Sequence, residues 1–304
     1  MTNSAIITTS SERPRRAMST LASSALMLAP ALLVCGIFVF IPAILTIVGS
    51  FHSFGLTSQN WVWVGLDNYS RAAADPVFWI ALRNNIIIVL GSIVLQVGIG
   101  TVLAAILDRG LPTGSTFFRT IIFMPMVVSA VAVALIWLII LDPNIGILNA
   151  LVKSLGLTPP ARGWLGDPDI SIWMVLVVAA WQFTGFMMVL ILAGLQGIPR
   201  ELYEAAALDG ARGIKAFWYI TLPAIWNVLL VAVLITTIGG FKVFDLIFVL
   251  TQGGPANATQ VLGTYIYLQA FNLTNMGYAN AIAVVLLVIA VVLGWLQLRV
   301  SRRA

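Results

Sequence analysis

Charged and polar residues, which are scarce elsewhere in this chain, are concentrated in the segment from Pro199 to Lys215, between two long apolar runs. Glu201 and Glu204 lie in the first turns after Pro199, a residue suited to the start of a helix. Carboxylates at that end of a helix complement its exposed N–H groups. The segment is therefore predicted to be a folded helix with an anionic start and not a flexible spacer.

Two glycines predict where this helix stops. Gly210 and Gly213 are predicted to end this helix. A second short helix is then predicted to run to Ile220, and the next apolar run begins at Leu222-Pro223. We call residues 196–222 the polar loop. A helix-turn-helix between two apolar runs would be held at a membrane surface, which suits it to receive force from a partner.

A second pair of charged residues, Lys242 and Asp245, falls at the edge of an apolar run. A charge at the centre of a bilayer costs about 2.5–3.5 kcal/mol on insertion scales, so such residues usually face a cavity or pair with each other. Three residues apart on a helix, these two could pair. Alternatively, both lie at the membrane interface and Lys242 extends to water. The sequence leaves both interpretations open.

Apolar helices must position these residues. Hydrophobic residues make up 60% of the chain and charged residues 9%, whereas charged residues make up about 25% of a typical soluble domain. The mean hydropathy is +1.02. The chain is therefore predicted to be an all-α integral membrane protein. Six charge-free windows approach the ~20 residues that cross a bilayer: Leu21–Ser50, Asn84–Leu107, Thr120–Leu141, Ile170–Leu195, Leu222–Phe241 and Ala279–Leu298.

Six spans place both termini on one side of the membrane, and basic residues identify that side. The face with the termini would carry Arg13, Arg15, Arg16, Arg109, Arg119, Arg200, Arg212, Lys215, Arg299, Arg302 and Arg303, and the opposite face Arg71, Arg83, Lys153 and Arg162. The excess predicts cytoplasmic termini and a cytoplasmic polar loop. We expect a cytoplasmic tail over residues 1–20, one transmembrane domain over 21–300 and a second tail over 301–304. The net charge of +5 follows from this asymmetry and gives no reason to expect nucleic acid as a partner.

An enzymatic function is not supported by the motifs. His52 is the one histidine, it falls in a loop, and no catalytic motif or paired carboxylates accompany it. A phosphate-binding Gly-x-x-x-x-Gly-Lys-Ser/Thr loop is also missing from the sequence. We therefore expect no catalytic residues, no metal site and no cofactor on this chain, and any nucleotide would be bound by another subunit.

The polar loop carries a specific resemblance. Its Glu-Ala-Ala, x3, Gly, x9, Ile, x, Leu-Pro pattern resembles the signature of the permease subunits of bacterial ATP-binding-cassette (ABC) importers. The pattern consists of Glu204, Ala205, Ala206, Gly210, Ile220, Leu222 and Pro223, and we include Glu201 and Asp209 among the coupling residues.

The resemblance implies partners and a mechanism. In this family the loop docks into a cleft on an ATPase subunit. Glu204 would meet a basic group there, the face with Ala205 and Ala206 would pack into a groove, and Gly210 would make the bend. We expect a six-helix importer permease of type I in the bacterial inner membrane. Its partners would be two ATPase copies that hold ATP and Mg²⁺, a second, non-identical permease and a periplasmic solute-binding protein.

A second stretch indicates the cargo. Residues 241–255 contain Leu-Thr-Gln-Gly-Gly-Pro, which resembles the outer end of the fifth helix in carbohydrate permeases, of the larger type found in maltose and glycerol-phosphate importers. A sugar or sugar-like solute is the cargo that this resemblance implies.

The substrate pathway follows from the same resemblance. Residues 181–188 resemble the sugar-contacting segment of maltose permeases, which implies that Gln182, Phe183 and Phe186 line the pathway. Amides and aromatic faces are the groups that bind sugars. The opposite wall would contain Thr236, Gly239, Gly240 and Val243, and the charged residues Lys242 and Asp245 are candidates for the same pathway. Asn84, Asn85, Gln96 and Asn227 are further polar candidates. Ordinary helix packing is the alternative role for all of these residues.

An ion-coupled secondary transporter is the alternative function. Such carriers use ionisable groups at the membrane midplane, for which only Lys242 and Asp245 are candidates here. An autonomous carrier has no need of an ATPase-docking loop, so the signature in the polar loop favours the importer.

Overall fold

The computed structural model describes residues 16–57, 60–109 and 115–301. Most of these residues are helical and only two two-residue strands occur among them, which confirms the all-α prediction. Most of the predicted tails, with Arg13, Arg15, Arg302 and Arg303, lies outside the described residues. The chain divides into two units, Met1–Val48 and Gly49–Ala304.

The described part of the first unit is one apolar helical run. Helix α1 (Arg16–Cys35) continues through a π-helical turn (Gly36–Phe40) into α2 (Ile41–Gly49). Pro30 lies inside α1, and no charged residue follows Arg16 in this run. The run contains the candidate span Met27–Gly49.

The second unit contains fourteen further helices and a short β-ribbon within the described residues. The ribbon pairs β1 (His52–Ser53) with β2 (Val62–Trp63) in antiparallel register. The helices of its first half are α3 (Asp67–Ala74), α4 (Pro76–Ser92), α5 (Ile99–Arg109), α6 (Ser115–Val127), α7 (Ala130–Ile140), α8 (Ile147–Ser154) and α9 (Ser171–Leu195). Those of its second half are α10 (Arg200–Leu208), α11 (Ile214–Ala216), α12 (Leu222–Ala224), α13 (Trp226–Lys242), α14 (Asp245–Leu250), α15 (Leu262–Tyr267) and α16 (Met276–Ser301). Three further π-helical turns cover Ile93–Gly98, Phe217–Thr221 and Leu268–Asn272.

Four helical runs in the described chain are long and apolar enough to cross a membrane: Met27–Gly49, Pro76–Asp108, Ser171–Leu195 and Met276–Arg299. Two bent pairs bring the total to the predicted six if each pair forms one span. Helices α6 and α7 meet at 99°, and the run Ile214–Ala224 meets α13 at 71°. The sequence windows Thr120–Leu141 and Leu222–Phe241 predicted straight spans there, and the bends correct them.

Local features mark the positions of both bends. In α6, Pro125 cannot donate a backbone hydrogen bond, and the Ser129 side chain then accepts the Ala132 N–H at 3.3 Å, which starts α7. Before α13, Ile225 leaves helical geometry with φ −96° and ψ 10°. Leu222-Pro223 therefore lies in the short helix before the bend, whereas the sequence window placed this dipeptide at the start of the span. Helix α13 begins at Trp226.

Helix α9 is at the centre of the second unit and packs against α4, α5, α6, α7, α13 and α14. Close approach requires glycine at two of these contacts. A Cβ atom on Gly185 would lie 2.0 Å from the Ile122 carbonyl oxygen, and one on Gly100 would lie 3.0 Å from the Met188 nitrogen. Small residues therefore allow α6 and α5 to contact the α9 backbone directly.

Two buried asparagines of α4 bind the backbone where other segments leave regular structure. The Asn84 amide donates to the carbonyl oxygens of Ala258 and Gln260, each at 2.9 Å. The Asn85 amide donates to the Gly240 oxygen at 3.1 Å, and its carbonyl accepts the Leu262 N–H at 2.8 Å. The end of α13 and the start of α15 are thus both held on α4.

A carboxylate next to α4 joins three helices. Asp75 accepts hydrogen bonds from the Val77 N–H at 2.8 Å, from the Tyr278 hydroxyl at 2.7 Å and from the Tyr265 hydroxyl. Burial raises the pKa of Asp75, but these hydrogen bonds outweigh burial and hold it below the ordinary value of 3.8. Burial and the nearby Asp75 carboxylate raise the pKa of Tyr265 to about 12, so this tyrosine stays a donor.

Replacing Asn85 with alanine should destabilise the fold. The substitution leaves the Gly240 oxygen and the Leu262 N–H without their partner, at a cost of roughly 1–3 kcal/mol for each buried group. We expect a lower midpoint of thermal unfolding in a fixed detergent. Asn227→Ala is the matched control because Asn227 is exposed. Equal midpoints for the two variants would contradict the role of Asn85.

Asp75 should contribute a pH-dependent stability. Its pKa is lower in the folded than in the unfolded state, so the contribution is complete above 3.8 and is lost as pH falls through the folded pKa. We expect the stability advantage of the wild type over Asp75→Asn to shrink below about pH 4. Unfolding midpoints of both proteins from neutral to acidic pH test this, and a constant difference would be the contrary result.

Candidate functional site

One cavity of about 270 Å³ lies between α9, α4 and the end of α13. Its wall contains every residue predicted for the substrate pathway: Gln182, Phe183, Phe186, Thr236, Gly239, Gly240, Lys242, Val243 and Asp245. These residues come from two separate stretches of sequence that the fold brings together. Their contact with a cargo stays a prediction.

The wall also contains residues that the sequence reasoning missed: Ile88, Ser92, Ala130, Ala179, Met187, Ile235, Phe244 and Leu246. Most are apolar and carry no signal that separates them from helix packing. Gln96, whose orientation the sequence left open, lines the cavity. Asn84 and Asn85 bind backbone groups instead, and Asn227 is exposed.

Three irregularities in the helices converge on this cavity. Gln96 lies in the π-helical turn Ile93–Gly98, and Ala130 is the first residue after the bend between α6 and α7. The third irregularity is the break after Lys242. Broken helices are tolerated at membrane depth where they line a cavity and are held by neighbouring polar groups. The same arrangement forms the binding sites of many transporters.

Two buried glutamines support the wall. The Gln96 amide donates to the Ala179 oxygen at 3.3 Å and to the Ser92 hydroxyl at 3.2 Å. The Gln182 amide donates to the Val128 oxygen at 3.2 Å, at the bend between α6 and α7. The Gln182 Oε1 atom has no hydrogen-bond partner within the described part of the chain. Gln182 therefore holds irregular backbone and keeps an unused acceptor, whereas Gln96 ties its own π-helical turn to the regular helix α9.

The two charged residues do not share one helix, which was one of the two arrangements that the sequence left open. Lys242 is the last residue of α13, Val243 and Phe244 leave helical geometry, and Asp245 begins α14. Within residues 226–250 no ion pair joins the two side chains, which are both exposed and line the cavity. Each charge complements the end of its own helix, the cation at a C-terminus and the anion at an N-terminus.

The wall combines three chemical characters. Phe183, Phe186 and Phe244 contribute partly buried rings, and the rings of Phe244 and Phe248 stack with centroids 5.2 Å apart. Amides and hydroxyls come from Gln96, Gln182, Ser92 and Thr236, and the charges from Lys242 and Asp245. This set can pack on apolar C–H faces and hydrogen-bond to hydroxyl groups. Within the described residues, no cluster of side chains could hold a metal ion.

The polar loop forms the predicted helix-turn-helix. Helix α10 begins after Pro199 and exposes Glu201, Glu204 and Ala205. Ala206 is 8% exposed and packs inside the chain. Of the two alanines expected to face a partner, only Ala205 presents its side chain, which corrects the prediction for Ala206.

Helix α10 ends at a glycine, as predicted. Gly210 has φ +79°, and the Ala211 N–H donates to the Ala206 oxygen at 2.8 Å while the Gly210 N–H donates to Ala207 at 3.3 Å. These two bonds form a Schellman motif, which requires left-handed geometry at Gly210. Asp209 is exposed beside it. Gly213, with φ +57° and ψ −121°, turns the chain into α11.

A hydrogen bond joins the two halves of the polar loop. The Tyr203 hydroxyl lies 3.2 Å from the Thr221 hydroxyl. Thr221 is buried, and Ile220 and Leu222 are partly buried, whereas Pro223 is exposed. The loop also borders an open pocket of about 380 Å³ formed with Val102, Ala105, Ile106, Asp108 and Leu195. It is therefore a folded piece next to the ends of α5 and α9.

Large apolar side chains are exposed around the carboxylates of the polar loop. Leu208 is 90% exposed, and Ile214 and Tyr219 are each 78% exposed. Leu202 and Trp218 are also exposed. An apolar surface with a few carboxylates is typical of a protein-binding surface.

Comparison with known proteins gives consistent matches over nearly the whole chain. Residues 96–304 match the family model described as "Binding-protein-dependent transport system inner membrane component". The chain is 42% identical to the probable ABC transporter permease protein YurN of Bacillus subtilis, covering 90% of this chain and 94% of that protein. It is 36% identical to the trehalose/maltose transport system permease protein MalF of Thermococcus litoralis, covering 91% and 92%.

A solved structure has a similar fold. The chain is similar to one chain in the crystal structure of a bacterial ABC transporter involved in the import of the acidic polysaccharide alginate. The TM-score is 0.83 at 25% sequence identity, and the match covers 96% of this chain and 99% of that chain.

Two adjacent glycines in the cavity wall should respond differently to alanine. A Cβ on Gly240 would lie 2.7 Å from a Val89 methyl carbon, whereas a Cβ on Gly239 meets nothing within 4 Å. We expect Gly240→Ala to lower the free energy of unfolding by roughly 1–3 kcal/mol and Gly239→Ala to leave it unchanged. Thermal unfolding of both variants in one detergent tests this, and equal midpoints would refute the assigned packing.

Proposed function

Because this chain belongs to the family of binding-protein-dependent transport system inner membrane components, we propose that it is the permease subunit of an ATP-driven importer for a sugar or sugar-like solute. It is a multi-pass membrane protein. The observation that carries the cargo assignment is the cavity at which three helix irregularities converge. Cargo would cross the membrane through this cavity.

The chemistry of the cavity supports a polyhydroxylated cargo. Rings of Phe183 and Phe186 offer apolar faces, and the amides and hydroxyls around them offer hydrogen bonds. The formal charges of Lys242 and Asp245 sum to zero, which suits an uncharged cargo. The name of the Thermococcus litoralis relative, with trehalose and maltose in it, supports the same class. Gly239 and Gly240 replace the amides that maltose permeases carry on this helix, so we propose contacts different from those of a maltose site.

The polar loop is the proposed point of coupling. Its exposed Glu204 and Ala205, with Leu208 beside them, would dock on an ATPase subunit. Gly210 and the bond between Tyr203 and Thr221 keep the loop folded, so force on α10 would reach α12 and the bent start of α13. Closure of the ATPase pair would then tilt the helices around the cavity and alternate its access.

The proposed assembly has four kinds of subunit. Two ATPase copies would bind ATP and Mg²⁺, so this chain would contribute no catalytic residues and hold no cofactor. A second, non-identical permease would complete the pathway, and a periplasmic binding protein would deliver cargo. The excess of basic residues on the face with the termini supports a cytoplasmic polar loop in a bacterial inner membrane.

An ion-coupled carrier is the alternative that Lys242 and Asp245 would favour, since both charges line the cavity. Co-purification after mild detergent extraction distinguishes the two functions. The importer requires an ATPase subunit bound to the intact protein and lost from Glu204→Ala combined with Gly210→Trp. Uptake that persists without any ATPase would establish the carrier instead.

Substitution of Gly210 should uncouple transport. A bulky residue at φ +79° strains the helix end and projects toward the proposed partner. We expect Gly210→Trp, in proteoliposomes of the complete transporter, to lower trehalose uptake per ATP hydrolysed by roughly tenfold or more.

Gly210→Asn is the matched control for this experiment. Asparagine tolerates left-handed geometry, and apart from the residues adjacent in sequence no described residue has a heavy atom within 4 Å of the added Cβ. The asparagine variant should keep most of its coupling. Normal coupling in Gly210→Trp would refute the role of the loop, and failure of the wild type to take up any neutral sugar would refute the cargo class.

A further inference from the structure

The β-ribbon after the first span carries an exposed aromatic surface that the proposed transport function does not use. Trp61 is 43% exposed, Val62 59% and Trp63 66%. We call these three residues, together with Phe51, His52 and Phe54, the aromatic ribbon. Large rings are normally buried in a soluble protein, so their joint exposure calls for a partner.

The rings of the aromatic ribbon are ordered by one another. Phe54 and Trp61 stack with centroids 4.1 Å apart, and Phe51 and Trp63 stack at 5.7 Å. The His52 ring meets Trp61 edge-on at 5.4 Å and Trp63 at 5.1 Å. Such pairs add stability beyond the burial of area. The ribbon therefore presents a rigid surface, although two isolated strands alone are only marginally stable.

Hydrogen bonds fix the aromatic ribbon at the start of the last span. The Phe54 oxygen accepts the N–H groups of Met276 at 3.1 Å and of Gly277 at 3.4 Å, and these residues open α16. A Cβ on Gly277 would lie 1.9 Å from the His52 oxygen, so the two backbones are in direct contact. The ribbon also follows the candidate span Met27–Gly49 within a few residues. The ribbon is thus next in sequence to the end of one candidate span and hydrogen-bonded to the start of another.

The composition of the ribbon favours lipid over protein as the partner. No Asp, Glu, Lys or Arg occurs between Phe51 and Val64, so the surface lacks the charges that orient a soluble partner. Tryptophan combines an apolar ring with one N–H donor, which suits the layer between lipid headgroups and acyl chains.

We propose that the aromatic ribbon inserts into the headgroup layer of the bilayer at the end where α16 begins. Trp61, Val62 and Trp63 contact lipid, and the hydrogen bonds from Met276 and Gly277 fix the height of α16 relative to that surface. The ribbon is an anchor that sets the depth of the last span.

Spin labels at single cysteines test the proposal in the full-length protein. Cys35 is the one native cysteine, so a Cys35→Ser background accepts Val62→Cys or, as the matched control, Lys153→Cys on α8, where Lys153 is exposed. Both variants are labelled with a nitroxide in phosphatidylcholine and phosphatidylglycerol nanodiscs. Relaxation by oxygen reports lipid, and relaxation by a water-soluble nickel chelate reports water.

The label at Val62 should collide several-fold more with oxygen than with the nickel chelate, and the label at Lys153 should show the reverse. Equal access of nickel to both labels would overturn the proposal, because the ribbon would then lie in water and be free to dock a soluble partner. Protection of the Val62 label from both reagents would also overturn it, because the ribbon would then be covered by protein.

Quenching of tryptophan fluorescence tests the same proposal without an introduced cysteine. Brominated phosphatidylcholine should quench a smaller share of the fluorescence in the Trp61→Phe, Trp63→Phe double variant than in the wild type. Trp164→Phe is the control, because the Trp164 indole donates to Asn149 at 2.7 Å and packs inside the chain. An unchanged quenched share in the double variant would overturn the anchor.

Discussion

Backbone carbonyl groups that a helix break exposes inside an apolar chain must find donors from the protein, because water does not reach them. Carboxamides supply those donors here. Asn85 binds the Gly240 oxygen near the end of α13, and Gln182 binds the Val128 oxygen at the bend between α6 and α7. The cavity exists between these irregular segments, so the proposed site depends on side chains whose first task is to hold the backbone.

The places of the apolar helical runs could be predicted from the sequence, because each span needs a long run without charge. The bends were not predicted, because a hydropathy window averages over residues and carries no information on the direction of the helix axis. Pro125 and Ser129 could have indicated the 99° bend between α6 and α7. The other bend lies at Ile225, after Pro223, which the sequence window placed at the start of the span. The glycine end of α10 was predicted correctly since positive φ at Gly210 leaves few alternatives.

The wall of the cavity was predicted from the resemblance of two stretches to permeases, and the fold joins them as that resemblance requires. The three-residue spacing of Lys242 and Asp245 is compatible with one helix, but the helix ends at Lys242 although no proline or glycine lies between the two residues. The burial of Ala206 could not be predicted from the sequence either, because it depends on how α10 packs against the rest of the polar loop. Apolar wall residues such as Ile235 carry no polar group that could have identified them.

Gly239 and Gly240 are neighbours with opposite surroundings, since one faces open space and the other touches Val89. Side-chain volume at position 239 can therefore vary without disturbing the contact between α13 and α4. Relatives with the same helix packing are free to differ in the volume of their cavities at this one place. Changes in cargo size can thus accumulate in this fold at little cost to its stability.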